Sequence, residues 1–229
     1  MSPRLTAALL ICAAVLANLA FTALGSIFNY PDVLDEPARD VLASFSEHQG
    51  AVSAWFAVLA LSAALLAPIA IGVGRLSAAR AMRIAVRVGI AAAVVQVIGL
   101  LRWPILVPGY ASGGDTKSFT TASDILGTAL GETLGYLLTA TWTALVIVAL
   151  GRHFAGRWFP ALGAVSAVLV LAGVLSPLGL PGIDAANFLG YVLWCVWLIA
   201  FAVVILVRER RSAGSPAPPA SPDRTAVAS

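Results

Sequence analysis

The chain has 229 residues, of which 60% are hydrophobic and 11% charged, with a mean hydropathy of +0.93. This composition excludes an ordinary soluble domain and predicts a membrane protein with several spans. The net charge is only +3, and the basic residues stand at the ends of apolar runs, where they set membrane orientation. Nucleic acid is therefore excluded as a partner, and the lipid bilayer is expected.

The first apolar run covers residues 5–28 and follows Arg4. It is too long for the apolar part of a signal peptide, so a first membrane helix is preferred over a cleaved leader. Asn18 lies in the middle of this run. An amide at that depth either bonds across helices or touches a ligand, and packing is the preferred interpretation. Cys12 and Cys195 both lie in apolar runs and are expected to be buried.

Residues 29–50 form a polar connection with five acidic residues and one arginine. This charge balance predicts a non-cytoplasmic loop. Glu36 to Phe45 is expected to form a short amphipathic helix on the membrane surface. Asp32, Asp35 and Glu36 offer oxygen ligands for a divalent cation, although a solvated acidic loop is the preferred interpretation.

The second span is predicted at residues 51–73, with a kink at Pro68. Four arginines follow between residues 75 and 87 and place this connection in the cytoplasm. The third span is predicted at residues 84–107 and contains Arg102 and Trp103 near its outer end. The next connection, residues 108–125, is rich in Gly, Ser and Thr and is predicted to be a non-cytoplasmic loop, with Ser123 or Asp124 capping the helix that follows.

The fourth span, residues 125–150, contains the ionisable residue Glu132 within an apolar helix. At 100° per residue, one arc of this helix is polar. Its members are Thr128, Glu132, Gly135, Thr139 and Trp142. Beside that arc, glycines recur every fourth residue from 127 to 135 and predict close packing against another helix. A carboxylate at membrane depth costs at least a few kcal/mol and usually serves a function.

Arg102 and Glu132 are expected at similar depth, because span three runs outward and span four returns. Each charge also stands at the helix end whose dipole favours it. Two alternatives remain open from the sequence. Arg102 either pairs with Glu132, or extends to the lipid headgroups while Trp103 stays in the interfacial aromatic belt.

A fifth span is predicted at residues 158–176 and a sixth at residues 183–207. The sixth carries a polar and aromatic stripe at helical spacing, which could face the polar arc of the fourth span. Helix packing together with an interfacial aromatic belt is the slightly preferred interpretation of this stripe. This stripe consists of Asp184, Asn187, Tyr191 and Trp194. The predicted fold is thus an all-α bundle of six transmembrane helices over residues 1–207, with both termini cytoplasmic and a disordered tail over residues 208–229.

Two sequence segments carry a family resemblance. Residues 100–108 read LLRWPILVP, and residues 130–143 read LGETLGYLLTATWT. Together they resemble the bacterial family of small integral membrane proteins catalogued as domain of unknown function 4386. The resemblance implies that Arg102 and Glu132 belong to the family pattern, and it implies no activity. Membership of this bacterial family implies a location in the bacterial plasma membrane. The architecture is also similar, more loosely, to small membrane-bound terpene cyclases in size, helix count and an intramembrane acid, and this similarity implies a lipophilic substrate.

The preferred functional hypothesis is an enzyme that acts on a prenyl or terpenoid substrate inside the bundle, by proton-initiated cyclisation or isomerisation. Such a reaction needs a positioned acid, exclusion of water and aromatic faces that stabilise a cation. Glu132 is the expected acid, with Arg102 beside it, and Asp184 or Asp32 takes over that role if Glu132 is tightly paired. The expected substrate-binding residues are Trp103, Tyr136, Trp142, Asn187, Tyr191 and Trp194.

The main alternative is a binding or regulatory membrane protein in which an Arg102–Glu132 pair only holds two helices in register. A small transporter is a third hypothesis, disfavoured because no repeat of broken helices is visible. The sequence contains no familiar nucleotide, zinc or nucleophile-elbow motif. No cofactor and no metal site are therefore expected.

Overall fold

The structure is a computed structural model that describes residues 1–213. All regular structure in this part of the chain is helical. The α-helices are α1 (Pro3–Phe28), α2 (Ala38–Glu47), α3 (Gln49–Ala64), α4 (Leu66–Val73), α5 (Arg80–Ile105), α6 (Val107–Gly113), α7 (Thr116–Ala122), α8 (Gly135–Leu150), α9 (Trp158–Ala172) and α10 (Ile183–Ala213). A π-helical segment, Ser123–Leu134, joins α7 to α8.

Six helical stretches of the described chain are long and apolar enough to cross a membrane, which confirms the predicted six-span bundle. They are Pro3–Phe28, Gln49–Leu76, Arg80–Gly113, Thr116–Leu150, Trp158–Leu178 and Ile183–Arg211. Because the number of spans is even, the first span begins and the last span ends on the same side of the membrane. Arg4 and Glu209 form an exposed ion pair there, with 3.3 Å between nitrogen and oxygen.

The predicted kink of the second span is present as a break between α3 and α4. Pro68 has no amide hydrogen to donate to the carbonyl of Ala64, and α3 ends at Ala64. The chain passes through Leu65 and resumes as α4. A single proline thus bends this span without interrupting the crossing.

The region predicted to be a loop between spans three and four is instead helical. Pro108 stands in the first turn of α6, a position that needs no amide hydrogen. Gly114 adopts a left-handed conformation and ends α6, and the side chain of Asp115 accepts a hydrogen bond from the Ser118 amide to begin α7. The cap is therefore Asp115, and the expectation of Ser123 or Asp124 was wrong.

One end of the bundle is covered by α2, α6 and α7, and we call it the capped end. The predicted amphipathic helix is present as α2, whose buried side chains are Val41, Leu42 and Phe45. They join a cluster with aromatic residues from the first three spans and α7. Its aromatic members are Phe28, Phe45, Phe56, Trp103 and Phe119.

A second hydrophobic core fills the opposite half of the bundle. Its largest aromatic side chains are Trp142, Phe159, Trp197 and Phe201. Phe159 stacks on Trp197 with ring centroids 5.2 Å apart. The polar residues of the candidate functional site lie between these two cores, along the third, fourth and sixth spans.

The last helix continues to Ala213, beyond the predicted end of the membrane domain at residue 207. The rest of the predicted tail lies outside the described residues. Cys195 is buried as expected, whereas Cys12 is exposed on the outer surface of α1, so the expectation for Cys12 was wrong.

Candidate functional site

Three glycines of the fourth span pack against the third span, as the glycine spacing predicted. A Cβ atom built on Gly131 would lie 3.1 Å from the Cα of Gly99. One turn further along the same contact, a Cβ on Gly135 would lie 2.9 Å from the side chain of Gln96. The two backbones therefore touch, which only small residues permit.

Arg102 lies at the capped end of this contact, under Gly127. Only 7% of the residue is exposed, and a Cβ on Gly127 would lie 2.7 Å from the guanidinium carbon. One guanidinium nitrogen, Nη1, donates to the carbonyl of Gly99 at 2.8 Å. The buried Nε has no hydrogen-bond partner in the described structure. Arg102 therefore does not extend to the headgroups, contrary to one of the two predicted alternatives.

Glu132 lies in the π-helical segment, one residue after the glycine that touches the third span. Its side chain is partly buried. Arg102 and Asp184 are near enough to act on its charge, but within residues 1–213 the only ion pair joins Arg4 to Glu209. The structure thus contains no direct Arg102–Glu132 ion pair among the described residues, although the two charges are close enough to interact.

The physical reason is the glycine contact itself. Arg102 turns its guanidinium into the space left by Gly127 and bonds back to its own helix. The π-helical turn, which has more residues per turn than an α-helix, shifts the directions of the side chains that follow it. The prediction assumed 100° per residue throughout and could not include this shift.

Tyr30 joins this polar region, although the sequence placed it only at the start of the polar connection of residues 29–50. It lies just beyond the first span and is partly buried, with its ring 5.3 Å from that of Phe56. Burial raises the pKa of the Tyr30 phenol above its usual range; the negative charge of Glu132 raises it further, and the Arg102 guanidinium opposes both. Tyr30 is therefore a neutral hydroxyl close to both charged residues.

Two aromatic residues of the sixth-span stripe, Tyr191 and Trp194, contact the fourth span. Tyr136 and Tyr191 have ring centroids 5.7 Å apart, and Tyr191 lies 6.3 Å from Trp194. Trp194 in turn lies 6.1 Å from Trp142. These four rings form one continuous aromatic row, which begins one helical turn from Glu132.

Hydrogen bonds between spans hold this row in place. The indole of Trp194 donates to the Thr143 hydroxyl at 2.9 Å, and the Gln96 amide donates to the Thr139 hydroxyl at 2.7 Å. Sequence reasoning assigned no role to Gln96. Its helical spacing from Gly99 and Arg102, at three-residue steps, was the available signal.

The remaining predicted site residues lie outside the aromatic row. Trp103 belongs to the aromatic cluster of the capped end, stacked on Phe56 at 4.7 Å, and is not part of the aromatic row. Asn187 is buried and donates to the Val170 carbonyl at 2.8 Å, which is a packing contact between spans five and six. Asp184 is exposed near Glu132. Asp32 is exposed in a short helical turn of the acidic connection.

The region thus combines a carboxyl group at membrane depth, a buried arginine, three tyrosines and a row of aromatic faces. No curated protein and no solved structure matches the chain. A family model matches residues 5–202, which is most of the chain and includes Tyr30, Arg102, Glu132 and the aromatic row. The chain therefore belongs to the family described as a domain of unknown function (DUF4386).

Proposed function

We propose that the protein is a membrane enzyme in which Glu132 protonates a lipophilic substrate of the prenyl or terpenoid class. The observation that carries this proposal is that the Glu132 carboxyl group forms no ion pair among the described residues. A carboxyl group tied directly to Arg102 would be a poor proton donor. A carboxyl group without that tie, at membrane depth, is suited to carry and release a proton.

The reaction proceeds by transfer of the carboxyl proton to one carbon of an alkene. The alkene π electrons form the new C–H bond and leave a cation on the neighbouring carbon. Loss of an adjacent proton from this cation to the Glu132 carboxylate gives an isomerised alkene and restores the acid. In the cyclisation branch, a second alkene first attacks the cation, which closes a ring and moves the positive charge to a new carbon, and loss of a proton from beside that carbon to the Glu132 carboxylate then gives the neutral cyclised product. The faces of Tyr136, Tyr191 and Trp194 supply the electron-rich surfaces that stabilise such a cation.

Two further residues support this role. Asp184 is exposed and close enough to act on Glu132 electrostatically, so it can pass protons from the surface to the acid. Arg102 is held by the Gly99 carbonyl. Its positive charge remains near Glu132 and stabilises the carboxylate that is left after proton transfer.

The test is turnover of linear prenyl alcohols and prenylated aromatic compounds by proteoliposomes in deuterated water. Protonation of carbon places deuterium in the product, and mass spectrometry detects it. Glu132→Gln is expected to reduce labelled product about 100-fold or more. Asp124→Asn, which changes an exposed acid in the same π-helical segment, is the matched control and is expected to remain active.

Equal turnover by wild type and a well-folded Glu132→Gln variant would contradict the proposal. Absence of product from every substrate, combined with aggregation of both Glu132→Gln and Arg102→Leu, would favour the binding or regulatory alternative, in which these residues only support the fold. Gel filtration in detergent separates loss of activity from loss of folding.

A further inference from the structure

A groove on the membrane-facing surface lies between α1 and α10, on the other side of the sixth span from the fourth. Its volume is about 350 Å³, and eight residues line it. They are Ala14, Val15, Asn18, Leu19, Val192, Cys195, Val196 and Ile199. The lining contains no charged side chain, and Asn18 is the one carboxamide in it.

Asn18 lies deep in the membrane. It is 15 residues from the first residue of α1 and ten from the last, so at 1.5 Å per residue it lies about 15 Å from the Phe28 end. The hydrocarbon layer is about 30 Å thick. Lipid tails provide no hydrogen-bond partner at that depth, yet Asn18 is exposed.

The carboxamide of Asn18 uses only part of its hydrogen-bonding capacity within its own helix. Its nitrogen donates to the Ala14 carbonyl at 2.7 Å. The Cys195 thiol on the opposite wall of the groove is a second hydrogen-bonding neighbour of the carboxamide. A carboxamide has two donor hydrogens and an acceptor oxygen, so it can still bind an oxygen-bearing group that enters the groove.

We propose that this groove binds a neutral lipophilic molecule with a single hydrocarbon chain and one hydroxyl or carbonyl oxygen, and that Asn18 hydrogen-bonds that oxygen. The absence of charge in the lining selects a neutral occupant. The volume lies at the lower end of the usual range for ligand sites, about 300–1,000 Å³, which suits one chain. This inference does not depend on the chemistry proposed for Glu132.

Two other occupants fit less well. A second copy of the chain needs about 20–30 residues on each side of a stable interface, and the groove offers eight. A phospholipid keeps its phosphate and ester groups at the membrane surface, so only its hydrocarbon tail would reach Asn18. The tail would provide no partner for the carboxamide oxygen.

The test uses the full chain in proteoliposomes and a hexadecanol analogue that carries a photoreactive diazirine. Illumination is expected to label α1 and α10 near the groove, and excess hexadecanol is expected to compete. Asn18→Leu is expected to reduce this labelling about five- to tenfold. Thr22→Val is the matched control, because Thr22 is an exposed polar residue one turn away whose hydroxyl bonds within its own helix; it should label as wild type does.

Two further variants make the outcome unambiguous. Val192→Phe adds bulk to the groove wall and is expected to reduce labelling while Asn18 is retained. Glu132→Gln is expected to label as wild type does, so loss of the proposed reaction leaves this binding site intact.

The proposal is overturned by any of three results. The first is equal labelling of wild type and Asn18→Leu. The second is equal labelling of the groove by a diazirine alkane without the hydroxyl, or by a diazirine phospholipid. The third is an Asn18-dependent crosslinked dimer whose formation excludes hexadecanol.

Discussion

Gly99 and Gly131 bring the third and fourth spans into backbone contact. A Cβ atom on Gly99 would lie 2.7 Å from the Cα of Gly131, and one on Gly131 would lie 3.1 Å from the Cα of Gly99. Neither neighbour is a flexible side chain that could move aside. The contact also determines where Arg102 and Glu132 lie, since each is within three residues of one of these glycines.

Gly99→Ala is therefore expected to lower the free energy of unfolding by about 1–3 kcal/mol, because the added methyl group forces the two helices apart. Unfolding by titration with SDS measures this change. Gly109→Ala is the control, because a Cβ at Gly109 meets nothing within 4 Å; it is expected to be neutral or slightly stabilising. Equal destabilisation by the two variants would contradict the backbone contact.

Glu132→Gln is expected to change the free energy of unfolding by less than about 1 kcal/mol. Removal of one partner from a direct buried ion pair costs about 3–5 kcal/mol, and Glu132 has no such partner among residues 1–213. The same SDS titration distinguishes the two cases. A loss of several kcal/mol in Glu132→Gln would show that a direct pair with Arg102 forms in the membrane.

Trp103→Ala is expected to cost about 3–5 kcal/mol of stability, because it removes the largest ring from the aromatic cluster of the capped end. Trp158→Ala removes a tryptophan that is 49% exposed and should cost far less. Gel filtration after heating compares the two variants. If Trp103→Ala resists heat as Trp158→Ala does, the cap contributes little to folding.

The hydrogen bond from Trp194 to Thr143 is expected to contribute about 0.6 kcal/mol, and at most about 1.7 kcal/mol, the range found between membrane helices. A double-mutant cycle with Trp194→Phe and Thr143→Val measures it. The Thr143 hydroxyl also donates to the Thr139 carbonyl. The single Thr143→Val variant therefore loses both hydrogen bonds, and the double-mutant cycle isolates the bond to Trp194. Additive effects of the two substitutions would show that the interspan bond does not stabilise the fold.

The sequence predicted the six spans well because each apolar run must be long enough to cross the bilayer, and length and hydropathy can be read directly. The Pro68 break follows equally simply from a missing amide hydrogen. The glycine spacing predicted a close helix contact. The stripe on the sixth span allowed two interpretations, and contact with the fourth span holds for Tyr191 and Trp194. The span lengths, the Pro68 break and the glycine contact each follow from a local sequence pattern that permits only one geometry.

The predictions failed for side-chain directions and local structure that depend on contacts among several helices. Arg102 and Glu132 were placed at similar depth, but the direction of each side chain depends on the space beside Gly127 and on the π-helical turn. Residues 108–125 were predicted to be a loop because Gly, Ser and Thr are frequent there. Pro108 and Asp115 nevertheless begin two short helices, and packing over the aromatic cluster stabilises them.

The N-cap of α7 makes the cap region sensitive to acid. Hydrogen bonds from the Ser118 hydroxyl and amide hold the pKa of the Asp115 carboxyl below its usual range. The folded state thus favours the charged form. Its stabilising contribution is complete at neutral pH and is lost as the pH falls below about 4, through the lowered pKa.

Asp115→Asn keeps a side-chain oxygen that can cap the helix but does not titrate. Wild type is therefore expected to unfold at a higher temperature than Asp115→Asn at pH 7, and the difference should shrink steadily below about pH 4. Tryptophan fluorescence during heating in detergent, between pH 3 and 7, measures both midpoints. Asp124→Asn, an exposed acid whose side chain caps no helix, controls for the general effect of removing a negative charge. A difference between wild type and Asp115→Asn that persists unchanged at pH 3 would show that the carboxylate charge does not stabilise α7.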